Sequence, residues 1–256
     1  MVTTNSDVVI EVDGLTMAYG GTVILEKSSF TVRRGEVFVI LGGSGSGKST
    51  LMKHLIGLIP PAAGTIRIDG GDLNATAGAE RDAILRKFGV MYQSGALFGS
   101  MTLGENVMLP IGEFTDLPPA ARRLIARMKL DLVGLADFFD HAPSEVSGGM
   151  QKRAAIARAM ALDPAVLFLD EPSAGLDPIT SAGLDELIRS LNKNLGVTFV
   201  IVSHELASIY AVADRVIMLD SSTKSIIADG RPADLRDRDT NPVVHAFFHR
   251  EAVFTK

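Results

Sequence analysis

The stretch Gly42-Gly43-Ser44-Gly45-Ser46-Gly47-Lys48-Ser49-Thr50 constrains this chain more than any other. It follows an apolar run, Val37-Phe38-Val39-Ile40-Leu41, and precedes Leu51-Met52-Lys53-His54-Leu55-Ile56, which has helical spacing. A strand, a glycine-rich turn and a helix start are the context that turns Gly-x-x-x-x-Gly-Lys-Ser into a phosphate site. The glycines open backbone angles closed to other residues, so that successive N–H groups can converge on one anion. The helix beginning near Lys48 adds its unpaired N–H groups and the positive end of its dipole. Lys48 is placed to reach the β- and γ-phosphates, and Ser49 to offer its hydroxyl to Mg²⁺. A Gly/Ser linker has no reason to carry Lys-Ser-Thr between a buried strand and a helix. The expected ligand is ATP or GTP.

Composition narrows the rest. At 256 residues the chain fits one large α/β domain or a core with an inserted subdomain. A hydrophobic share of 46% supports a sizeable core, and 21% charged residues are too few for disorder. A net charge of −5 and a pI near 5.6 argue against a nucleic-acid surface, with a local basic patch as the alternative. Without cysteine there is no disulfide, zinc-thiolate or thiol chemistry. Met1-Val2-Thr3-Thr4-Asn5-Ser6-Asp7 lacks the basic and apolar regions of a signal peptide. Mean hydropathy is +0.24, yet no apolar run approaches the ~18–20 residues that span a bilayer. The apolar content sits in short runs, such as Val37–Leu41, Val166–Leu169 and Phe199–Val202, expected as strands of a parallel sheet covered on both faces. The chain is expected to be soluble and cytoplasmic.

Val8 to Val12 and Thr16 to Tyr19 read as strands broken by a hairpin pair, Asp13-Gly14, and Ile24 to Val32 as a further extended stretch. Thr65 to Gly70 alternates apolar and polar residues, so a small antiparallel sheet is expected beside the nucleotide core. Tyr19 can stack on an adenine ring or simply close its strand. Gly89 to Gln93 reads as a buried strand ending in an amide; Gln93 is a candidate Mg²⁺ or water contact, with a plain turn residue as the alternative. From Ser94 to Glu145 strand signals vanish, and Pro118-Pro119 opens a helical run from Ala120 to Val133, which indicates an inserted helical subdomain. Ala96, Leu97, Phe98 and Met101 place apolar residues in a loop, either as a docking surface or as core contact.

Ser147-Gly148-Gly149 precedes an alanine-rich helix; Ser147 fits an N-cap, and the glycines bare a second helix N-terminus. Ala165 to Leu169 leads into Asp170-Glu171. Alternation along a strand lets Asp170 face Mg²⁺ while Glu171 addresses water. Asp177-Pro178 turns into another helix, and Thr198 to Val202 ends at Ser203-His204, where the histidine is placed to touch the γ-phosphate. A hairpin, Val216 to Leu219 and Ser225 to Asp229, is followed by a short tail. There Asn241-Pro242 starts a helix with Val243, Val244, Phe247 and Phe248 on one stripe, and Val253 and Phe254 lie beyond it.

In order and spacing these motifs resemble the ATP-binding cassette (ABC) ATPases over nearly the whole chain. The resemblance implies a P-loop NTPase (RecA-like) α/β core with a flanking antiparallel β subdomain and an inserted helical subdomain, about 94–145. It makes Tyr19 the adenine-stacking aromatic, Gln93 the Q-loop glutamine, and Ser147-Gly148-Gly149 the signature. Asp170 becomes the Walker B aspartate, Glu171 the catalytic glutamate, Asp177 the D-loop aspartate and His204 the switch histidine. The signature departs from Leu-Ser-Gly-Gly-Gln: Val146 replaces the leucine, Met150 stands where glutamine is usual, and Gln151 follows. That form, with Gln93-Ser94-Gly95-Ala96-Leu97-Phe98 and Asp177-Pro178-Ile179-Thr180, resembles the ATPases of Mla-type, MCE-associated lipid transporters of Gram-negative bacteria. It implies ATP and Mg²⁺, a homodimer, an integral-membrane permease, an MCE-domain lipid-binding protein, a small STAS-domain protein, and a place on the cytoplasmic face of the inner membrane. A cassette acting on DNA or the ribosome usually carries coiled-coil insertions or a second cassette, and neither is visible here.

Overall fold

The computed structural model describes residues 7–251. The chain opens with one long antiparallel hairpin, β1 (Val8–Tyr19) and β2 (Thr22–Arg33), closed by the pair Tyr19↔Thr22. Its turn is Gly20-Gly21, with φ of +56° and +82°. Two consecutive positive φ values are what a tight hairpin turn needs, and glycine adopts them without steric cost. The hairpin expected at Asp13-Gly14 is therefore elsewhere. That pair lies inside β1, where the register shifts between Val12 and Leu15 and Gly14 takes φ +57°. It makes a bulge rather than a reversal.

After β3 (Val37–Gly42) and α1 (Lys48–Leu55), β4 (Ala63–Ile68) and β5 (Gly71–Asp72) complete a four-stranded sheet in the order β2-β1-β4-β5. The second sheet takes β3 with β6 (Phe88–Met91), β7 (Val166–Asp170), β8 (Thr198–Val202), β9 (Arg215–Asp220) and β10 (Ser225–Gly230), in the order β10-β9-β3-β8-β7-β6. All its pairings are parallel except β9 with β10. Successive residues of its central strands serve opposite cores. Val37, Val39, Leu41, Leu167, Leu169, Phe199 and Ile201 face one, and Phe38, Ile40, Val166, Phe168, Val200 and Val202 the other. Both faces are covered, so the runs read as continuously apolar.

The helices are α2 (Gly78–Leu85), α3 (Leu103–Phe114), α4 (Pro119–Leu132), α5 (Gly148–Ala159), α6 (Pro178–Leu195), α7 (Leu206–Val212), α8 (Pro232–Arg238) and α9 (Pro242–His249). Residues 94–145 hold α3, α4 and two short 3₁₀ turns; Leu103, Val107, Ala126 and Leu130 join α5 in the core under one sheet face. Helix α3 escaped the sequence reading although its start signal was present. Thr102 Oγ1 accepts from Glu105 N at 3.1 Å, and Glu105 Oε2 accepts from Thr102 N at 2.8 Å, a reciprocal capping box. The tail forms the helix expected at Asn241-Pro242. Helix α9 starts at the Asn241 cap and buries Val244 and Phe248 against its own domain, with Phe248 6.1 Å from the Tyr210 ring. Val253 and Phe254 lie outside the described residues.

His54, on α1, has 0% exposure and, among the described residues, neither ring nitrogen makes a well-formed hydrogen bond, the Ile59 backbone offering only a weaker polar contact. Burial holds its pKa below the ordinary value, with the Ile59 backbone opposing. An apolar residue of similar volume avoids the desolvation cost, so His54→Leu should stabilise by about 1–3 kcal/mol. The unfolded chain takes up a proton near pH 6.5 that folded His54 resists, so the wild type loses stability as pH falls through that range. The advantage of the leucine variant should therefore widen from pH 7.5 to 5.5 in thermal melts. A variant that melts lower throughout would mean that the imidazole has a partner.

Candidate functional site

The parallel strands bring the separated motifs to one edge. The carboxyl ends of β3, β6, β7 and β8 lead into Gly42, Gln93, Asp170-Glu171 and Ser203-His204 respectively. Ligands of open α/β sheets bind at that edge. In the loop after β3, Gly42 and Gly47 are glycine for steric reasons. A Cβ on Gly42 would lie 2.3 Å from Ser46 Oγ and 2.7 Å from the Leu219 carbonyl oxygen, and one on Gly47 would lie 2.5 Å from Ile24 Cγ2, with φ +93° besides. The loop is thus folded on itself and pressed against β2. Gly43, Ser44 and Gly45 stay exposed, and Ser46 is buried with an unpartnered hydroxyl. No side chain caps α1, so its first N–H groups, from Lys48 to Thr50, remain available for an anion.

Lys48 Nζ donates to the Gly42 and Gly43 carbonyls at 2.8 and 3.0 Å. Burial lowers its pKa, and Glu171 and Asp170 pull it back up. Ser49 Oγ lies 3.5 Å from Asp170 Oδ1. The Asp170 carboxyl is held above its usual range by burial and by the charge of Glu171, with Ser49, Lys53 and Lys48 opposing. Its surroundings therefore leave cationic charge wanting. A hydroxyl and a carboxylate side by side suit Mg²⁺, which takes a few protein oxygens and fills its remaining positions with phosphate and water. No cluster of three or more acidic or histidine side chains stands ready for a metal among the described residues, so substrate oxygens must complete any such site. The orphaned Ser46 hydroxyl, the cradle around Gly42 and this carboxylate–hydroxyl pair fit a nucleotide with Mg²⁺.

Glu171 corrects the alternation argument. β7 ends at Asp170, and Glu171 takes φ +46°, a left-handed angle that a residue with a Cβ adopts only when held there. Its N–H donates to Val202 O at 2.9 Å, tying the turn to β8. The carboxylate, 13% exposed, meets His204 Nδ1 at 2.8 Å, whereas the His204 side chain is 68% exposed. Glu171 is thus aimed by a backbone turn, not by strand pleating.

Gln93 lies beyond β6, exposed, and its side chain makes no hydrogen bond among the described residues. Its backbone is fixed instead. Lys152 Nζ, on α5, donates to the Gln93 carbonyl, and Arg158 donates to Gly95 O at 2.9 Å and Ala96 O at 2.6 Å. Neither cation stood out in the sequence; a lysine and an arginine on the alanine-rich helix α5 were the available sign. Asn106, fully buried on α3, likewise bonds Phe98 N and the carbonyls of Phe98, Met101 and Thr102. An asparagine amid the apolar face of α3 was the signal for it.

Ser147 caps α5, accepting from Met150 N at 3.3 Å. A Cβ on Gly149 would lie 2.4 Å from Thr180 Cγ2, so the start of α5 abuts the start of α6. Ser147 and Gly148 face outward, and no hydrogen bond or ion pair joins residues 147–149 to residues 42–50 among those described. Met150 packs toward the core, while Gln151 Nε2 holds the Pro143 carbonyl at 2.9 Å. That accounts locally for the altered signature. Asp177 caps α6 through Ile179 N and Thr180 N at 3.0 and 3.1 Å. The hydrogen bonds from Thr180 hold its carboxyl below the usual range. The Tyr19 side chain lies outside the described part of the structure.

Residues 25–174, more than half of the chain, match the family described as ABC transporter. The chain belongs to the ABC transporter family. It is 42% identical over 240 residues to the probable ribonucleotide transport ATP-binding protein mkl of Mycobacterium tuberculosis, covering 94% of this chain and 66% of that protein. The chain thus spans just under two thirds of those mycobacterial relatives. It is 38% identical over 238 residues to the intermembrane phospholipid transport system ATP-binding protein MlaF of Escherichia coli, covering 93% of this chain and 87% of that one. Its fold is that of the family's ATPase cassettes. The cbiO1 structure from Clostridium perfringens, part of the ABC transporter complex cbiONQ, superposes with a TM-score of 0.82 at 29% identity over 91% of this chain and 92% of its own. A dimeric bacterial ABC transporter cassette gives 0.77 at 31%, over 87% and 98%. No described helix of this ABC family member is long and apolar enough to cross a membrane.

Proposed function

We propose that this chain is the ATP-hydrolysing subunit of a membrane transporter that moves phospholipid between membranes. The observation that carries the ATPase reading is the convergence of Lys48, the Ser49–Asp170 pair and the Glu171–His204 pair at one sheet edge. Lys48 and the loop from Gly42 to Thr50 bind the phosphates, Ser49 and Asp170 hold Mg²⁺, and Gln93 reaches toward the attacking water. Bound Mg²⁺ supplies neutralising charge for phosphoryl transfer. Glu171 takes the proton of that water, and His204, oriented by Glu171, holds the γ-phosphate. Tyr19 stacks on the base.

Ser147 and Gly148 are exposed and make no hydrogen bond to their own phosphate loop among the described residues, which supports a two-fold homodimer in which each signature, with Asp177, closes over the partner's nucleotide. The phospholipid assignment rests on the names of the MlaF relatives. With it come an MCE-domain lipid-binding protein, a small STAS-domain protein, and a place on the cytoplasmic face of the inner membrane; nucleic acid is not a partner.

A permease has a place to dock. An open groove of about 340 Å³ between α3 and β6 is lined mainly by apolar residues, among them Leu85, Phe88, Phe98, Leu109 and Phe114, with Glu113 and Arg158 as its charged members. Of the apolar loop singled out in the sequence only Phe98 lines it, 51% exposed; Leu97 turns to the core. We assign the groove to a short cytoplasmic helix of the permease, which suits its apolar lining. Tagged protein purified from detergent-solubilised membranes should co-elute with a polytopic protein and with phospholipid identifiable by mass spectrometry. Phe98→Asp should abolish that co-elution while nucleotide binding persists, because burying an unpaired carboxylate costs several kcal/mol. An intact complex carrying that aspartate excludes the groove. A complex that carries ribonucleotide and no lipid replaces the lipid reading.

A further inference from the structure

Behind the turns that carry Glu171 and His204 lies a small, partly open cavity of about 10 Å³. Pro172 and Ser173, which follow Glu171, line one side, and Ser203, which precedes His204, lines another. Ser208 on α7 and Asp185 on α6 complete its polar wall. Ser173, Ser203, Ser208 and Asp185 are all buried. A carboxylate is seldom buried without a strong partner, and among the described residues no lysine or arginine forms an ion pair with this one. The volume suits about one water molecule, and three hydroxyls with a carboxylate offer the two to four partners that a buried water needs.

We propose that Asp185 is a positioning residue for Glu171 and His204, acting through one buried water that ties the two turns together. The polar groups continue outward: Ser181 Oγ lies 3.4 Å from both Glu205 Oε1 and Ser208 Oγ, and Glu205 N donates to Ser203 Oγ at 3.1 Å. Through Ser208, Asp185 therefore reaches Ser181 and Glu205 on the far side of His204, and it shares the cavity wall with the residues after Glu171. The inference rests on the ATPase reading above, which gives those two turns their importance.

The network is sensitive to pH. Burial raises the Asp185 pKa to about 6, the hydroxyl of Ser208 opposes this, and the charge of Glu205 adds to it. Glu205 is the charged group that faces it from the loop before α7. β3 and β8 present Val39 and Ile201, and α7 presents Ser208, Ile209 and Val212. On its own helix, Arg189 is committed to Val212 O at 3.1 Å and Asp214 at 3.0 Å. Above pH 6 the ionised carboxylate accepts from the water and Ser208. Below it the protonated form must donate, and the network has to rearrange.

Asp185→Asn keeps the shape and fixes the neutral state. At pH 7.5 its kcat should fall about ten-fold with KM for ATP unchanged, as a displaced catalytic pair would give. The wild type should lose kcat as pH drops through 6, and the variant should lose less. The His204 imidazole resonance, assigned by its loss in His204→Ala, should shift in Asp185→Asn without nucleotide. Should the asparagine variant fold poorly, Ser208→Ala, which removes one hydroxyl from the same wall, should move that resonance and the pH profile in the same sense. An unmoved His204 resonance with unchanged kcat and pH profile overturns the proposal. A wild-type protein without ATPase activity would instead remove the function proposed above, and the His204 resonance would still decide whether Asp185 positions that turn.

Discussion

Glu171→Gln should bind ATP as the wild type does and hydrolyse it about 10²–10⁴-fold more slowly, the usual cost of losing a general base. Glutamine keeps the shape of the side chain and can still hydrogen-bond His204 Nδ1, now 2.8 Å from the carboxylate. It cannot take a proton. The turn survives so small a change, since its φ of +46° is held by the Glu171 N–H to Val202 O bond, which the substitution leaves in place. Slow hydrolysis with intact binding should trap ATP between two subunits, so the variant should run as a dimer in size exclusion when ATP and Mg²⁺ are present. Phosphate release measured beside nucleotide affinity separates chemistry from binding. Near-normal release would take the general-base role away from Glu171.

The sequence made legible whatever depends on short, ordered spacing. The phosphate loop, the strand ends at Asp170 and Ser203, and the caps at Ser147, Asp177 and Asn241 were each visible as local chemistry next to an apolar run. Features set by distant partners were not. Asp13-Gly14 carries a hairpin signal, yet β4 pairs with β1 up to Thr65↔Asp13 and again at Ala63↔Thr16, which keeps the strand going through a bulge. The left-handed angle at Glu171 depends on a carbonyl of β8, and no rule of alternation contains it. Lys152, Arg158 and Asn106 look like ordinary helix residues until the loops whose carbonyls they hold come beside them. Asp185 likewise reads as one more polar residue of an amphipathic helix, and only the packing of α7 over it shows that it is buried.

Lys48→Ala should fail at an earlier step than Glu171→Gln. The ammonium now rests on the carbonyls of Gly42 and Gly43, which keeps it poised in the loop at little cost to flexibility. Removing it leaves Asp170 and Glu171 with one cation fewer: those two carboxylates are what pull the Lys48 pKa back up against burial. A polyphosphate entering the variant would meet that negative charge with only the helix N-terminus and any bound Mg²⁺ to offset it. Losing one partner of a partly buried charge pair typically costs about 2–5 kcal/mol, so ATP affinity should fall by roughly 30- to 5,000-fold. Alanine at position 48 is a good helix former, so α1 should persist and the nucleotide-free melting temperature should stay close to that of the wild type. Isothermal titration with ATP and Mg²⁺, run beside thermal melts with and without nucleotide, tests both halves. Binding close to wild type would move the phosphate contact from Lys48 to the loop amides alone, and a collapsed melting temperature would make the lysine a structural clasp for the loop.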